Sequence, residues 1–165
     1  KKMFDKFGEF DSYEELNKAA EGLLKEGDLD SLRVLAAENG LDKEEVEDYI
    51  EGMIPELTTI YTAAFGRLAI EQKEIDKMKS LVERMPLQVI LDMLKGMATE
   101  ESVAAAVVKK GKRVSDIYEA MRGEAQKHKS GSMGVSCGTD RQLCEIIKAY
   151  YTRDDFKKKI EDLYK

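Results

Sequence analysis

SYEELNKAAEGLLKEGDLDSLRVLAAENGLDKEEVEDYI, residues 12–50, decides the fold class, because three helix signatures follow one another with only short breaks. Ser12 with Glu15 is a capping box: the hydroxyl accepts an orphan backbone N–H and the carboxylate reaches back. The helix it opens places Leu16, Ala19, Ala20, Leu23 and Leu24 on one face and stops near Gly27. Asp28 caps a second, with Leu29, Leu32, Val34, Leu35 and Ala36 expected inward and Asn39-Gly40 at its end. Asp42 with Glu45 forms another box, followed by the apolar stripe Val46, Tyr49 and Ile50.

Outward from this stretch the pattern stays helical. Pro55 suits the first turn of a helix through Ile60, Ala63, Ala64 and Leu68, with a possible break at Gly66. Glu74–Met85 and Pro86–Met97 read as two helices, and Thr99 as the cap of a short one ending at Gly111. Arg113–Lys129 reads as a helix, and Ser130–Gly138 as a loop in which Val135 offers at most a short strand. Thr139 caps a helix with Leu143, Ile146, Ile147 and Tyr150 inward. Asp154 or Asp155 begins the last, with Phe156, Ile160, Leu163 and Tyr164. The expectation is an all-α bundle of seven to nine short helices, including a helix-turn-helix-like acidic hairpin.

A chain of 165 residues that is 42% hydrophobic can bury a core, and its 36% charged residues, above the usual quarter, call for solvated helix faces. No apolar run is long enough for a membrane span, and no secretory leader is legible at the start. Two cysteines, Cys137 and Cys144, make neither a disulfide framework nor a zinc site, so a cytoplasmic setting in a bacterial host is expected. Charge is unevenly spread. Residues 9–56 hold 16 Asp and Glu against 4 Lys and Arg, whereas residues 107–165 hold 9 against 14. This suggests an acidic N-terminal subdomain, 1–56, and a helical C-terminal subdomain with basic patches, 57–165, unless the two form one continuous domain.

The hairpin from Leu35 to Ile50 has the spacing of a helix-turn-helix: small Ala36, Gly40 in the turn, then Val46 and Ile50 as anchors. A DNA-reading version presents Arg, Lys, Asn or Gln to the duplex. Here the second helix reads Lys43-Glu44-Glu45-Val46-Glu47-Asp48-Tyr49-Ile50-Glu51, whose carboxylates repel phosphates, so specific DNA recognition through it is not expected. Two readings stay open: an ordinary solvated hairpin, or an acidic surface that occupies a basic, nucleic-acid-binding groove on a partner. The candidate acidic residues are Glu38, Asp42, Glu44, Glu45, Glu47, Asp48 and Glu51.

Lys109, Lys110, Lys112 and Arg113 form a candidate basic contact for RNA or an acidic partner, although cations are favoured at helix C-termini in any case. The Gly-rich stretch before Thr139 lacks the Gly-Lys-Ser/Thr ending of a nucleotide loop. His128, the only imidazole, has at most Cys137 as a couple. Asp28 and Asp30 begin like a calcium loop whose later ligands do not follow. No enzyme class, catalytic residue, metal or cofactor is supported. Met78, Met85, Met93 and Met97 among Leu81, Leu87, Ile90, Leu91 and Leu94 read as core, with a homodimer interface or an adaptable partner groove as the alternative.

Phe4-Asp5-Lys6-Phe7-Gly8-Glu9-Phe10, Glu14-Glu15-Leu16-Asn17, Glu26-Gly27-Asp28-Leu29 and Glu38-Asn39-Gly40-Leu41-Asp42 resemble small proteins of gut Firmicutes mobile elements. Ala104–Lys112 and Ile146-Ile147-Lys148-Ala149-Tyr150-Tyr151 are similar to the same set, loosely to the PcfK-like conjugative-plasmid group, whose members often place His where this chain has Ala149. Part of that neighbourhood comprises type II anti-CRISPR proteins. The resemblance implies stoichiometric inhibition of a Cas9–guide RNA complex by blocking target-DNA engagement, the acidic helix acting as a DNA mimic in a positive channel. The alternatives are a non-enzymatic adaptor of a plasmid, phage or conjugative element that binds a self-encoded partner, and a nucleic-acid binder using only the basic C-terminal half.

Overall fold

The computed structural model describes residues 3–128 and 138–165. Among them are nine helices and no strand: α1 (Tyr13–Glu26), α2 (Leu29–Glu38), α3 (Lys43–Ile50), α4 (Ile60–Asp76), α5 (Leu81–Met97), α6 (Glu101–Val108), α7 (Val114–Lys127), α8 (Asp140–Thr152) and α9 (Phe156–Leu163). The chain is all-α. The expected strand at Val135 and the loop from Ser130 to Cys137 lie outside the described residues.

The caps legible in the sequence form the helix starts. Ser12 Oγ accepts from Glu15 N at 3.2 Å, while Glu15 reaches back to Asp11 N at 3.0 Å, one residue further than a strict box. Asp28 accepts from Ser31 N, Asp42 from the amides of Glu44 and Glu45, and Thr139 and Gln142 complete a full box. Each satisfies amides that have no partner within their own helix.

Three helix boundaries and one buried position differ from expectation. Pro55 does not open α4. Residues 51–59 are irregular, and Thr59 caps the helix by accepting from Thr62 N at 3.1 Å while Thr62 Oγ1 accepts from Thr59 N at 2.9 Å. The chain before that cap is held by Asn17, whose side chain binds both backbone groups of Thr58, at 2.9 and 3.0 Å. The break expected at Pro86 falls at 77–80 instead, where Ser80 caps α5. Pro86 lies inside α5, where it leaves the Val82 carbonyl without its intrahelical donor; Val82 is an exposed residue near the start of the helix. The N-cap of α6 is Glu100, one residue beyond Thr99. Val34, expected inward, is exposed.

Gly66 does not break α4, which runs through it. A Cβ on Gly66 would collide with the Asn39 carbonyl, and one on Gly40 with the Gly66 carbonyl, so backbone meets backbone here. Gly40 also has φ 69°, the left-handed region that ends α2 cleanly. The Gly expected to weaken a helix is what lets the α2–α3 turn seat on α4.

The chain falls into two compact units, neither continuous in sequence: unit 1 is 1–71 with 98–111, and unit 2 is 72–97 with 112–165. Unit 1 therefore extends beyond the expected end at Glu56, and Leu57 is part of the core that α1, α2 and α3 build from Leu16, Ala20, Leu32, Leu35, Ala36, Val46 and Tyr49. In unit 2, α5, α7, α8 and α9 pack through Leu87, Ile90, Leu94, Ile117, Met121, Leu143, Ile147 and Ile160.

Candidate docking site

The charge asymmetry of the sequence carries over to the two units. Unit 1 holds 20 Asp and Glu against 10 Lys and Arg, and unit 2 holds 13 against 17. A partner that meets unit 1 alone therefore meets a net charge of −10.

The seven expected acidic residues divide by use. Glu38 accepts the backbone amides of Lys6 and Phe7, at 2.6 and 3.1 Å, and so anchors the N-terminal segment. Asp42 is consumed as the α3 cap. Glu47 takes a bidentate grip from Arg33 of α2, at 2.7 and 3.2 Å, tying the two helices of the hairpin. Glu44, Glu45 and Glu51 stay in solvent and meet no cation among the described residues, with Asp48 half-buried beside them. Glu44, Glu47, Asp48 and Glu51 follow the i, i+3, i+4, i+7 spacing of a single helix face. The opposite side, Val46 and Tyr49, is in the core, which fixes the direction in which the stripe points.

The Arg33 guanidinium holds Glu47 below its ordinary carboxylate value. A depressed folded pKa gives stability that is complete above the unfolded value and lost as pH falls through the folded one. The pair is about half exposed, so the effect is small. Glu47→Gln is expected to melt slightly lower than the parent near neutrality, with the gap closing in the acid range. Thermal melts across pH check this, and a gap independent of pH would contradict it.

Tyr13 marks a second acidic neighbourhood that the sequence pattern missed. Its phenol is raised by Glu14 first, then by burial, Glu56 and Glu101, so carboxylates from α1, the 51–59 segment and α6 bear on one ring. Residues 14, 56 and 101 carry no shared local pattern, and only tertiary folding brings them near one another.

The four expected basic residues fall on both sides of the division between Gly111 and Lys112. In unit 1, Lys109 and Lys110 keep exposed side chains, while the Lys110 amide binds Asp11 at 3.0 Å. In unit 2, Lys112 Nζ donates to the Tyr150 carbonyl at 3.0 Å and lies 4.4 Å from that ring's centre, and Arg113 donates to the Lys112 carbonyl at 2.7 Å. Tyr150 also donates to Asp116 at 2.5 Å, so Lys112 serves a packed aromatic cluster with Tyr151 and Phe156. His128 pairs with Glu124 at 3.0 Å and stacks on Tyr164; Cys137, its suggested couple, lies outside the described residues.

The buried ion pair of unit 1 was also unforeseen. Arg67, 2% exposed, donates to Glu9 at 2.5 Å, to the Phe10 carbonyl at 3.1 Å and to the Lys109 carbonyl at 3.4 Å, with Phe4 against its guanidinium. The available signal was one arginine within the otherwise apolar run Ala63–Ile70. Among the described residues no group of three or more His, Cys, Asp and Glu side chains is placed to hold a metal ion, and no helix is long and apolar enough to cross a membrane. Comparison with protein-family models, with curated proteins and with solved structures gives no match.

Proposed function

We propose that this chain is a non-enzymatic docking protein whose acidic unit occupies a basic, nucleic-acid-binding surface of a partner. The observation that carries the reading is the acidic exterior of α3, where Glu44 and Glu51 of the outward stripe and the neighbouring Glu45 are left in solvent on a helix anchored by Val46 and Tyr49. Carboxylates held on a helix satisfy the arginines and lysines that otherwise hold phosphates, and because the backbone is already ordered only the side-chain rotamers are fixed on binding. The partner implied by the family resemblance is a Cas9–guide RNA complex, which carries its nucleic acid in strongly positive channels. On this reading the chain blocks target-DNA engagement stoichiometrically, and it acts in the cytoplasm of the host bacterium.

The test titrates the protein into a Cas9 cleavage reaction and passes the mixture with Cas9–guide RNA through size exclusion. Loss of cleavage near equimolar protein, with co-elution that weakens as salt rises, supports the proposal. Glu44→Lys, Glu45→Lys and Glu51→Lys together are expected to weaken binding by about a hundredfold or more, since like charges brought face to face cost several kcal/mol. Thermal stability should fall only modestly: none of the three carboxylates is in an ion pair among the described residues, but Glu44 and Glu45 lie in the first turn of α3, where the helix dipole favours anions over lysines. Glu47 is left alone because its reversal would break the Arg33 pair. Unaltered binding by the triple variant would remove the acidic helix from the interface. Intact cleavage without co-elution across several Cas9 orthologues would leave an adaptor for a self-encoded partner.

A further inference from the structure

Large apolar side chains reach solvent in unit 1 at Val34 on α2, Met53 just past α3, and Tyr61 and Phe65 on α4. Among the described residues none lies on α1 or α6, so the exposed apolar surface of unit 1 is confined to the elements that precede and follow the acidic helix. In unit 2, Leu81 and Met85 of α5, expected as core, are exposed as well. Tyr61 and Phe65 are 39% and 42% exposed and stand four residues apart, on one face of α4. Their place relative to α3 follows from the glycine contact. The backbone of Gly66, the residue after Phe65, meets that of Gly40, and Glu44 follows Gly40 by four residues. At ~3.8 Å per residue the backbones at Phe65 and Glu44 are no more than about 25 Å apart, within the roughly 800 Å² that one partner covers.

Charge selects the occupant of this surface. Unit 1 carries a net charge of −10, and Glu44, Glu45 and Glu51 meet no cation among the described residues, so the complementary partner brings its own. The two protein cations differ in how they use a ring. A guanidinium is planar, stacks on an aromatic face and sheds its water more readily than a compact ammonium. The chain itself displays the combination: the Arg67 guanidinium lies 4.9 Å from the centre of the Phe4 ring while it donates to the Glu9 carboxylate. Tyr61 and Phe65 near the carboxylates of α3 are the solvent-facing counterpart, rings and carboxylates in one unit with no cation of the described residues over either ring. Surfaces that bind nucleic acid supply arginines to phosphates and to the faces of bases. We infer that Tyr61 and Phe65 are anchors for arginine side chains of the partner's nucleic-acid-binding surface, adding ring stacking to the carboxylate contacts of α3. This rests on the acidic-docking proposal for the class of partner and goes beyond it in naming arginine over lysine as the group recognised.

Fluorescence anisotropy with labelled hexa-arginine and hexa-lysine peptides, on the full chain at low salt, tests this. Hexa-arginine is expected to bind about tenfold more tightly than hexa-lysine, since each ring adds its own attraction for a guanidinium. Tyr61→Leu with Phe65→Leu keeps apolar bulk and removes the rings, and should bring the two peptides to near parity with unchanged circular dichroism. Tyr61→Ala with Phe65→Ala should do the same. Equal affinity of the parent for both peptides, no binding of either, or an arginine preference that survives the leucine pair overturns the inference. Size exclusion with Cas9–guide RNA separates it from the proposal beneath it. A leucine pair that co-elutes like the parent, while the Glu44, Glu45 and Glu51 lysine variant does not, overturns the ring anchors and leaves the acidic docking standing. An arginine preference that the leucine pair abolishes, in a chain that never co-elutes with Cas9–guide RNA, supports the anchors and removes Cas9 as the partner.

Discussion

Gly66→Ala is expected to destabilise unit 1 by about 3 kcal/mol or more, whereas Gly22→Ala is expected to stabilise it by about 0.5–1 kcal/mol. Both glycines lie inside helices, α4 and α1, where alanine is the better helix former, so propensity alone predicts the same sign for both. Packing reverses it at one of them. A Cβ on Gly22 meets nothing within 4 Å, while one on Gly66 meets the Asn39 carbonyl at an impossible separation. The obstacle is backbone, with no rotamer to yield, so relief requires α4 and the α2–α3 turn to move apart. Gly40→Ala adds the left-handed backbone penalty at φ 69° to the same collision and should cost more than Gly66→Ala. Gly27→Ala, at φ 72° in open space, isolates the backbone term and should cost only about 1 kcal/mol. Urea unfolding followed by circular dichroism ranks the four. Equal effects at Gly22 and Gly66 would mean that the turn does not seat on α4 as described.

The same glycine pair shows which parts of this fold are legible in one dimension. Caps and apolar stripes are local, so the starts of α1, α2, α3 and α8 at Ser12, Asp28, Asp42 and Thr139 can be read directly from side-chain chemistry a few residues apart. Gly66 carries the opposite lesson: its local meaning is a weakened helix, and its tertiary meaning is close approach. Pro55 and Pro86 mislead for a related reason. Proline restricts the residues around it, and the Thr59–Thr62 cap and the Ser80 cap set the starts of α4 and α5 several residues away. The candidate site was partly legible. The acidic stripe of α3 follows from spacing, but which carboxylates remain available does not. Glu38 and Glu47 are engaged by Lys6, Phe7 and Arg33, at separations of 14 to 32 residues that no periodicity reveals. Nor does any local pattern announce that the chain leaves unit 1 after Glu71, returns at Ala98 and leaves again after Gly111.

Arg67→Met is expected to cost about 3–5 kcal/mol and to release both segments that Arg67 holds. The guanidinium serves Glu9 and the carbonyls of Phe10 and Lys109 together, so one side chain ties the stretch before α1 and the turn after α6 to the middle of α4. Removing it takes the guanidinium from a Glu9 carboxylate whose side chain is only 11% exposed and which also accepts from the Gly111 amide at 3.1 Å. A buried carboxylate that loses its guanidinium keeps its desolvation cost, and this adds to the lost attraction. Two further variants separate these contributions. Glu9→Gln added to Arg67→Met removes the carboxylate charge that Arg67 offsets and should recover part of the loss, a coupling that a purely steric role for Arg67 would not produce. Arg67→Lys keeps the charge but lacks the planar fork that reaches three acceptors in different directions, so it should recover little. Amide hydrogen exchange gives the spatial readout. Peptides covering residues 4–11 and 109–111 should lose protection in Arg67→Met while the α5, α7 and α8 peptides of unit 2 keep theirs. Uniform deprotection across both units would show that the pair supports the whole chain and not unit 1 alone. An Arg67→Met/Glu9→Gln variant no more stable than Arg67→Met would show that the Glu9 charge is not what Arg67 is there to neutralise.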